Sequence, residues 1–153
     1  ELPSLALYPN PSKGNFNISA NAKQVTVYAV TGQLVKEFKG NFDENSIENL
    51  TNETVVIDYI RSNHKLPDYY ITKSEAKNKG WIPSKGNLCE VLEGKAIGGD
   101  KFSNREKSLP KGEQYFEADV NYNCGNRNAD RIVFTKNGDV WLTKNHYKSF
   151  EKQ

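Results

Sequence analysis

The chain is predicted to fold as an α+β protein, with helices packed on a five-stranded antiparallel sheet and a small β appendage ahead of them. Three observations predict this. Between Leu50 and Gly94 apolar residues recur at helical spacing and are punctuated by capping residues and glycines. Beyond Ala96 they alternate with period two instead, and Asn137-Gly138 supplies a hairpin signal. The first 40 residues have a third texture, short alternating runs broken by Pro, Asn, Ser and Gly. Helices first and a strand meander afterwards is the α+β layout.

Taken in order, Tyr8-Pro9-Asn10-Pro11-Ser12-Lys13-Gly14 is turn chemistry, because both prolines fix φ and Asn, Ser and Gly favour tight turns. Phe16-Asn17-Ile18, Gln24 to Val30 and Leu34 to Phe38 read as strands, with Thr31-Gly32-Gln33 as the break between the last two. Three short strands make a marginal core. Residues 1–40 are therefore expected as a small β unit, 41–49 as a polar, acidic linker and 50–153 as the main domain.

In that domain Leu50, Val56, Ile57 and Ile60 fall at helical spacing, with Asn49 or Asn52 as N-cap and an end near Asn63-His64, where Lys65-Leu66-Pro67-Asp68 begins a turn. Thr72-Lys73-Ser74-Glu75 is a capping box opening a second helix that Gly80 terminates. A third spans Asn87 to Leu92, stopped by Gly94. The strands are expected at Ala96–Phe102, Tyr115–Tyr122, Arg131–Thr135, Val140–Lys144 and Ser149–Glu151. In the second of them Phe116, Ala118, Val120 and Tyr122 share one face, while Tyr115, Glu117, Asp119 and Asn121 share the other. The apolar face is assigned to the core, so Glu117 is expected to point away from it, within reach of a ligand.

Composition sets outer limits. The 153 residues suffice for one ordinary core plus a small appendage, and nothing is long or apolar enough to span a bilayer. A formal net charge of +2 with 26% charged residues is too little for a protein that binds polyanions by bulk charge. Residues 41–60 hold five acids and no Lys or Arg, whereas 61–153 hold 17 Lys+Arg against 12 Asp+Glu, so the later segment is the one suited to phosphate. The chain lacks Met and opens at Glu1, which reads as a processed product. Cys89 and Cys124 are an even count, open to a disulfide of an exported protein or to two buried thiols. Neither the two cysteines nor the two distant histidines, His64 and His146, have the spacing of a metal site.

Residues suited to phosphodiester chemistry gather late in the chain. Glu117 is a carboxylate on a strand, Arg127 and Arg131 lie four apart beside the next strand, and His146 follows the fourth. Cleavage of a phosphodiester by its own 2′-hydroxyl needs a base, an acid and fixed cations. Singly each residue has a plainer reading: a solvated glutamate, arginines paired with Asp130, a surface histidine. Lys73, in the first turn of the capped helix, sits unfavourably against the helix dipole, which invites an anion.

A long ordered series then stands out from His64 onward: His64-Lys65-Leu66-Pro67-Asp68, Tyr70-Ile71-Thr72-Lys73-Ser74-Glu75-Ala76, Gly80-Trp81, Ser84-Lys85-Gly86-Asn87-Leu88, Ile97-Gly98-Gly99-Asp100, Phe102-Ser103-Asn104-Arg105-Glu106, Glu117-Ala118-Asp119, Gly125, Arg127-Asn128, Asp130-Arg131-Ile132 and His146-Tyr147. In this series the chain closely resembles the barnase-like bacterial guanyl-specific ribonucleases. The resemblance implies the microbial ribonuclease fold and an endoribonuclease that cuts single-stranded RNA 3′ to guanosine through a 2′,3′-cyclic phosphate. It implies Glu117 as general base and His146 as general acid, with the roles reversed when the cyclic phosphate is hydrolysed. Lys73, Arg127 and Arg131 would hold the phosphoryl oxygens, and Ser103-Asn104-Arg105-Glu106 would form the guanine pocket. Phe102 and Tyr147 are implied as stacking or packing aromatics of the substrate site, and Asp100 as a support for the basic site. No metal and no cofactor are implied. A monomer is expected. The family fold also brings the third helix and the loop before Arg127 together, which implies a Cys89–Cys124 disulfide. Closing a loop of about 36 residues would contribute roughly 3–4 kcal/mol in the chain-entropy model. The stretch between Arg105 and Glu117 is shorter than the family pattern, which leaves the rim of the site, and any flanking-nucleotide preference, unassigned.

An alternative keeps the chemistry and changes the setting: a toxin domain neutralised by an acidic, barstar-like inhibitor covering Lys73, Arg105, Arg127, Arg131 and His146. A relative that binds RNA without cutting it is disfavoured, because acid, base and three cations are all present. At the other end, Tyr8-Pro9-Asn10-Pro11-Ser12, Gly14 and Phe16, followed by Val25-Thr26-Val27-Tyr28, Val30-Thr31-Gly32 and Leu34-Val35, resemble the first half of the C-terminal sorting domain of type IX secretion cargo. Here the unit precedes the other domain and the second half of the pattern is missing. The resemblance implies a secreted, extracellular protein; the competing reading of residues 1–40 is a carbohydrate- or surface-binding module.

Overall fold

The chain divides into two units, residues 1–46 and 47–153. The computed structural model describes residues 46–153 throughout and, before them, Thr31 and strand segments 7–8, 17–18, 22–28 and 34–42. In the first unit β1 (Leu7–Tyr8) pairs antiparallel with β2 (Asn17–Ile18), and β3 (Ala22–Tyr28) pairs antiparallel with β4 (Leu34–Phe42) around the turn at Thr31. The three expected strands correspond to β2, β3 and β4, and β1 is additional. The predicted Pro9–Gly14 turn lies outside the described residues. The stretch 41–49, expected as a linker, is shortened from both sides: β4 continues to Phe42 and a helical turn, α1, occupies Ile47–Leu50.

In the second unit the long helix is α2 (Glu53–Asn63), and Asn52 is its N-cap, its side chain accepting from the N–H groups of Thr54 and Val55. Leu50, expected in the same helix, belongs instead to α1. Thr51 separates the two: it is fully buried and its hydroxyl donates to the Ile47 carbonyl at 2.6 Å, closing α1. α2 ends at His64, whose φ of 60° is left-handed. α3 (Lys73–Asn78) begins with the reciprocal Thr72/Glu75 capping box, and those same Thr72 hydrogen bonds lower the pKa of Glu75. α4 (Leu88–Val91) is one turn.

The five expected strands form β6 (Ala96–Phe102), β7 (Tyr115–Asp119), β8 (Arg131–Phe134), β9 (Val140–Thr143) and β10 (Glu151–Lys152), each antiparallel to the next. A sixth strand, β5 (Tyr70–Ile71), joins the edge parallel to β6, giving the order β10-β9-β8-β7-β6-β5. Two residues beside a capping box carry no alternation, so β5 was not legible. Gly98 is where β5, β6 and β7 crowd together: a Cβ there would sit 2.5 Å from the Tyr70 ring and 2.7 Å from the Ala118 Cβ. The β6–β7 register shifts between Gly98 and Asp100.

Two apolar clusters cover opposite faces of this sheet, and a third lies under the short helices. Val56, Ile57 and Ile60 of α2 pack on Ala118, Val120, Ile132, Phe134, Val140 and Leu142. Ala76, Trp81, Leu88, Ile97 and Tyr122 cluster beneath α3 and α4. The other face carries Leu109, Tyr115, Val133 and Trp141, with Phe102, Tyr147 and Phe150 packed against them. The Tyr115–Glu117–Asp119 face of β7, expected to lie away from the core with Glu117 within reach of a ligand, does face away from the α2 cluster but is itself largely covered. Tyr115 is 2% exposed, Glu117 9% and Asp119 2%, because this face is covered by its own aromatic cluster. Cys89 and Cys124 are disulfide-bonded, which settles the open choice between a bridge and free thiols.

Candidate active site

Strand alternation puts Glu117 and Asp119 on one face, and register places Arg131 directly across from Asp119 and Val133 across from Glu117. Asp119, buried, is held by two guanidinium groups. Arg127 donates to it twice, Nε to Oδ2 and Nη2 to Oδ1, each at 2.7 Å. This is the bidentate geometry in which a planar guanidinium binds a carboxylate most firmly. Arg131 Nε lies 2.9 Å from Oδ1 as an ion pair, without the alignment of a hydrogen bond. Arg131 Nη1 donates to the Asp130 carbonyl at 2.7 Å and the Asn128 side chain at 3.2 Å. Burial alone would favour a neutral Arg127, but the hydrogen bonds and charge of Asp119 outweigh it and raise its pKa above the ordinary value. One carboxylate against two guanidiniums leaves a surplus positive charge. Arg127, with 24% of its side chain exposed, presents that charge to solvent, while Arg131 keeps only 4% exposed.

Glu117, two residues earlier, is gripped from two sides. Lys73 Nζ pairs with Oε1 at 2.5 Å, and the Tyr147 hydroxyl donates to Oε2 at 2.8 Å. A buried carboxylate is stable when paired in this way. Lys73 is the first residue of α3, and its backbone N–H donates to Asp100 Oδ2 at 3.0 Å, so Asp100 ties the start of α3 to β6. The Tyr147 phenol is pushed well up, first by burial and then by the charge and hydrogen bond of Glu117, so it remains a neutral donor at physiological pH. His146 is exposed in the turn after β9, its backbone N–H donating to the Ala129 carbonyl at 3.2 Å. Its ring meets that of Tyr147 edge-on at 4.9 Å. The structure thus brings Lys73, Glu117, Tyr147 and His146 into one chain of contacts, beside the Asp119–Arg127–Arg131 cluster.

The predicted base-pocket residues follow β6. Asn104 builds that loop: its amide donates to the Leu109 carbonyl at 2.7 Å and its Oδ1 accepts from the Leu109 N–H at 3.1 Å, with Leu109 buried as the anchor. Ser103, Arg105 and Glu106 are exposed and lie outside the Glu117–Asp119 network. Phe102 packs: its ring stacks on Tyr147 at 5.3 Å and meets Phe150 edge-on at 6.0 Å. Among the described residues no three His, Cys, Asp or Glu side chains are grouped as metal ligands. Sequence reasoning left Asp119 without a role, although its place two residues after Glu117 on the same strand face was a usable signal.

Residues 54–153 match the profile of the ribonuclease family, and residues 6–58 match that of the secretion system C-terminal sorting domain. The two matches overlap inside α2, whose Val56 and Ile57 are core residues of the second unit. A ribonuclease of Heyndrickxia coagulans is 52% identical over 99 residues, covering 63% of this chain and 91% of that protein. Ribonucleases of Bacillus intermedius and Bacillus pumilus are likewise 52% identical over 99 residues, 63% of this chain and 61% of each relative. The ribonuclease profile spans residues 54–153, the part of the chain that folds around Glu117 and Asp119, and with these relatives it shows that the chain belongs to the ribonuclease family.

Proposed function

We propose that this ribonuclease is a secreted endonuclease cutting single-stranded RNA 3′ to guanosine, by transphosphorylation to a 2′,3′-cyclic phosphate and then hydrolysis, without a metal. The observation that carries the reading is the link from Glu117 through Tyr147 to His146, which puts a paired carboxylate and an exposed imidazole at one site. Glu117 takes the 2′-hydroxyl proton and His146 delivers a proton to the departing 5′-oxygen; in hydrolysis the two exchange roles. Lys73 and the exposed edge of Arg127 bind the phosphoryl oxygens, while Arg131, deeper, adds charge through the Asp119 cluster. In the 103–106 loop, backbone N–H groups donate to guanine O6 and the Glu106 carboxylate accepts from N1–H and N2–H, a pattern adenine cannot satisfy. The sorting-domain match and the disulfide both support placement outside the cell.

The toxin reading needs an acidic protein inhibitor that meets Lys73, Arg105, Arg127 and His146 directly, with Arg131, 3% exposed, felt only through the charge of the Asp119 cluster, and it stands or falls with such a partner. The function is tested with an RNA oligomer holding one internal guanosine, in EDTA, with wild type beside Glu117→Ala and His146→Ala. Cutting 3′ to guanosine with a cyclic phosphate end is expected, falling by roughly two to four orders of magnitude in each variant. RNA left intact by folded wild type refutes the activity, cutting at every base refutes guanine preference, and dependence on added metal refutes the metal-free route.

A further inference from the structure

We propose that Asn145 is a positioning residue for the acid step, clamping the turn that carries His146 and Tyr147; this rests on the reaction proposed above. The turn after β9 places two consecutive side-chain-bearing residues at positive φ, His146 at 53° and Tyr147 at 70°. Turns with both central residues in the left-handed region are ordinarily built from Asn and Gly, because a Cβ crowds the backbone there. Here both positions carry side chains assigned to the chemistry, so the conformation has to be imposed by neighbouring contacts.

Those contacts converge on one exposed side chain. Asn145 Oδ1 accepts from the Ser149 N–H at 3.0 Å and from the Thr143 hydroxyl at 3.0 Å, and Asn145 Nδ2 donates to Ser149 Oγ at 2.7 Å. Thr143 Oγ1, having donated to Asn145, accepts from the Tyr147 N–H at 3.0 Å. Asn145 therefore ties the residue before the turn to the residue after it, and through Thr143 to the backbone of Tyr147. Thr143 is 1% exposed, at the end of β9 and directly across the ladder from Arg131, so the clamp is anchored in the sheet. What it holds for the acid step is the direction of the His146 ring, which rests against Tyr147, while the Glu117 carboxylate is kept in place independently by Lys73. Asn145 itself contacts neither Glu117 nor the Asp119 cluster, which makes it a positioning residue and not a catalytic one.

The experiment uses the full chain as wild type, Asn145→Ala and Asn145→Asp, with two substrates of the same nucleoside. One is a dinucleotide, whose 5′-oxygen must be protonated to leave. The other is the nucleoside 3′-(4-nitrophenyl phosphate), whose phenolate leaves without a proton. Asn145→Ala is expected to lower kcat on the dinucleotide about tenfold or more with KM within about twofold, and to slow the aryl phosphate by less than about twofold. Asn145→Asp keeps the acceptor for Ser149 and Thr143 and is expected to restore most of the dinucleotide rate. An undiminished dinucleotide kcat in Asn145→Ala, or equal losses on both substrates, overturns the positioning role while the proposed reaction stands. Folded wild type that leaves both substrates intact overturns the reaction and the positioning role together.

Discussion

Glu117, Asp119 and Arg131 lie in β7 and β8, where ladder register fixes their spacing and burial fixes their partners. His146, Tyr147, Lys107 and Cys124 lie in the connecting turns around them, and all four are non-glycine residues at positive φ. The floor of the site is thus held by regular structure and ion pairing, whereas its rim is held by individual side-chain braces against an unfavourable backbone. Asn145 braces one turn and Asn104 another, and the Cys89–Cys124 bridge braces the loop before Arg127. Strained backbone collects where ligands are met, and the cost is met by contacts elsewhere. Damage to the floor should therefore be global and large, and damage to the rim local and graded.

The strongest test of that division is Asp119→Asn. It leaves Arg127 and Arg131 without their shared counter-charge in a position 2% exposed. Loss of one partner from a buried pair costs roughly 3–5 kcal/mol, so a large drop in the urea midpoint is expected together with loss of RNA cleavage. A shift worth less than about 1 kcal/mol, the range of surface ion pairs, would show that the floor is not held by this cluster.

Next in size is the disulfide. Replacing both Cys89 and Cys124 with alanine frees a loop of about 36 residues and is expected to cost roughly 3–4 kcal/mol in the chain-entropy model. The bridge ties α4 to the loop that delivers Arg127, so KM for RNA should rise while the rate at saturation changes little. A fall confined to kcat would assign the bridge to the floor and not to the rim.

The same division explains what was legible beforehand. The capping box at Thr72 and Glu75, the five main strands and the helix at 53–63 are announced by local chemistry, and the structure has them. Glu117 and Asp119 were readable as sharing a face because a strand has period two. Their burial was not. Two covered faces need the aromatic cluster of Tyr115, Trp141, Tyr147 and Phe150 to assemble from distant segments, and alternation within one strand is silent about that. The bidentate Asp119–Arg127 pair also depends on how the 121–130 loop returns. Nothing in the sequence singled out Asn145, since only the backbone angles of its neighbours reveal what it restrains.

The smallest expected effect concerns Lys107, which occupies φ 56° in the loop following β6. Its backbone N–H donates to the Asn104 carbonyl at 3.1 Å, closing the tight turn at Arg105-Glu106. Its side chain is exposed. Glycine adopts this conformation without the Cβ penalty, and against that gain stands the extra freedom it gives the unfolded chain. The penalty for a left-handed Cβ-bearing residue, about 1–2 kcal/mol, exceeds the entropic disadvantage of glycine, about 0.5–1 kcal/mol. Lys107→Gly is therefore expected to stabilise the protein by up to about 1 kcal/mol, read as a small rise in Tm, with cleavage of RNA little changed. Destabilisation instead would mean that the 103–109 loop draws support from the Lys107 side chain itself, and that strain on this part of the rim is smaller than its φ implies.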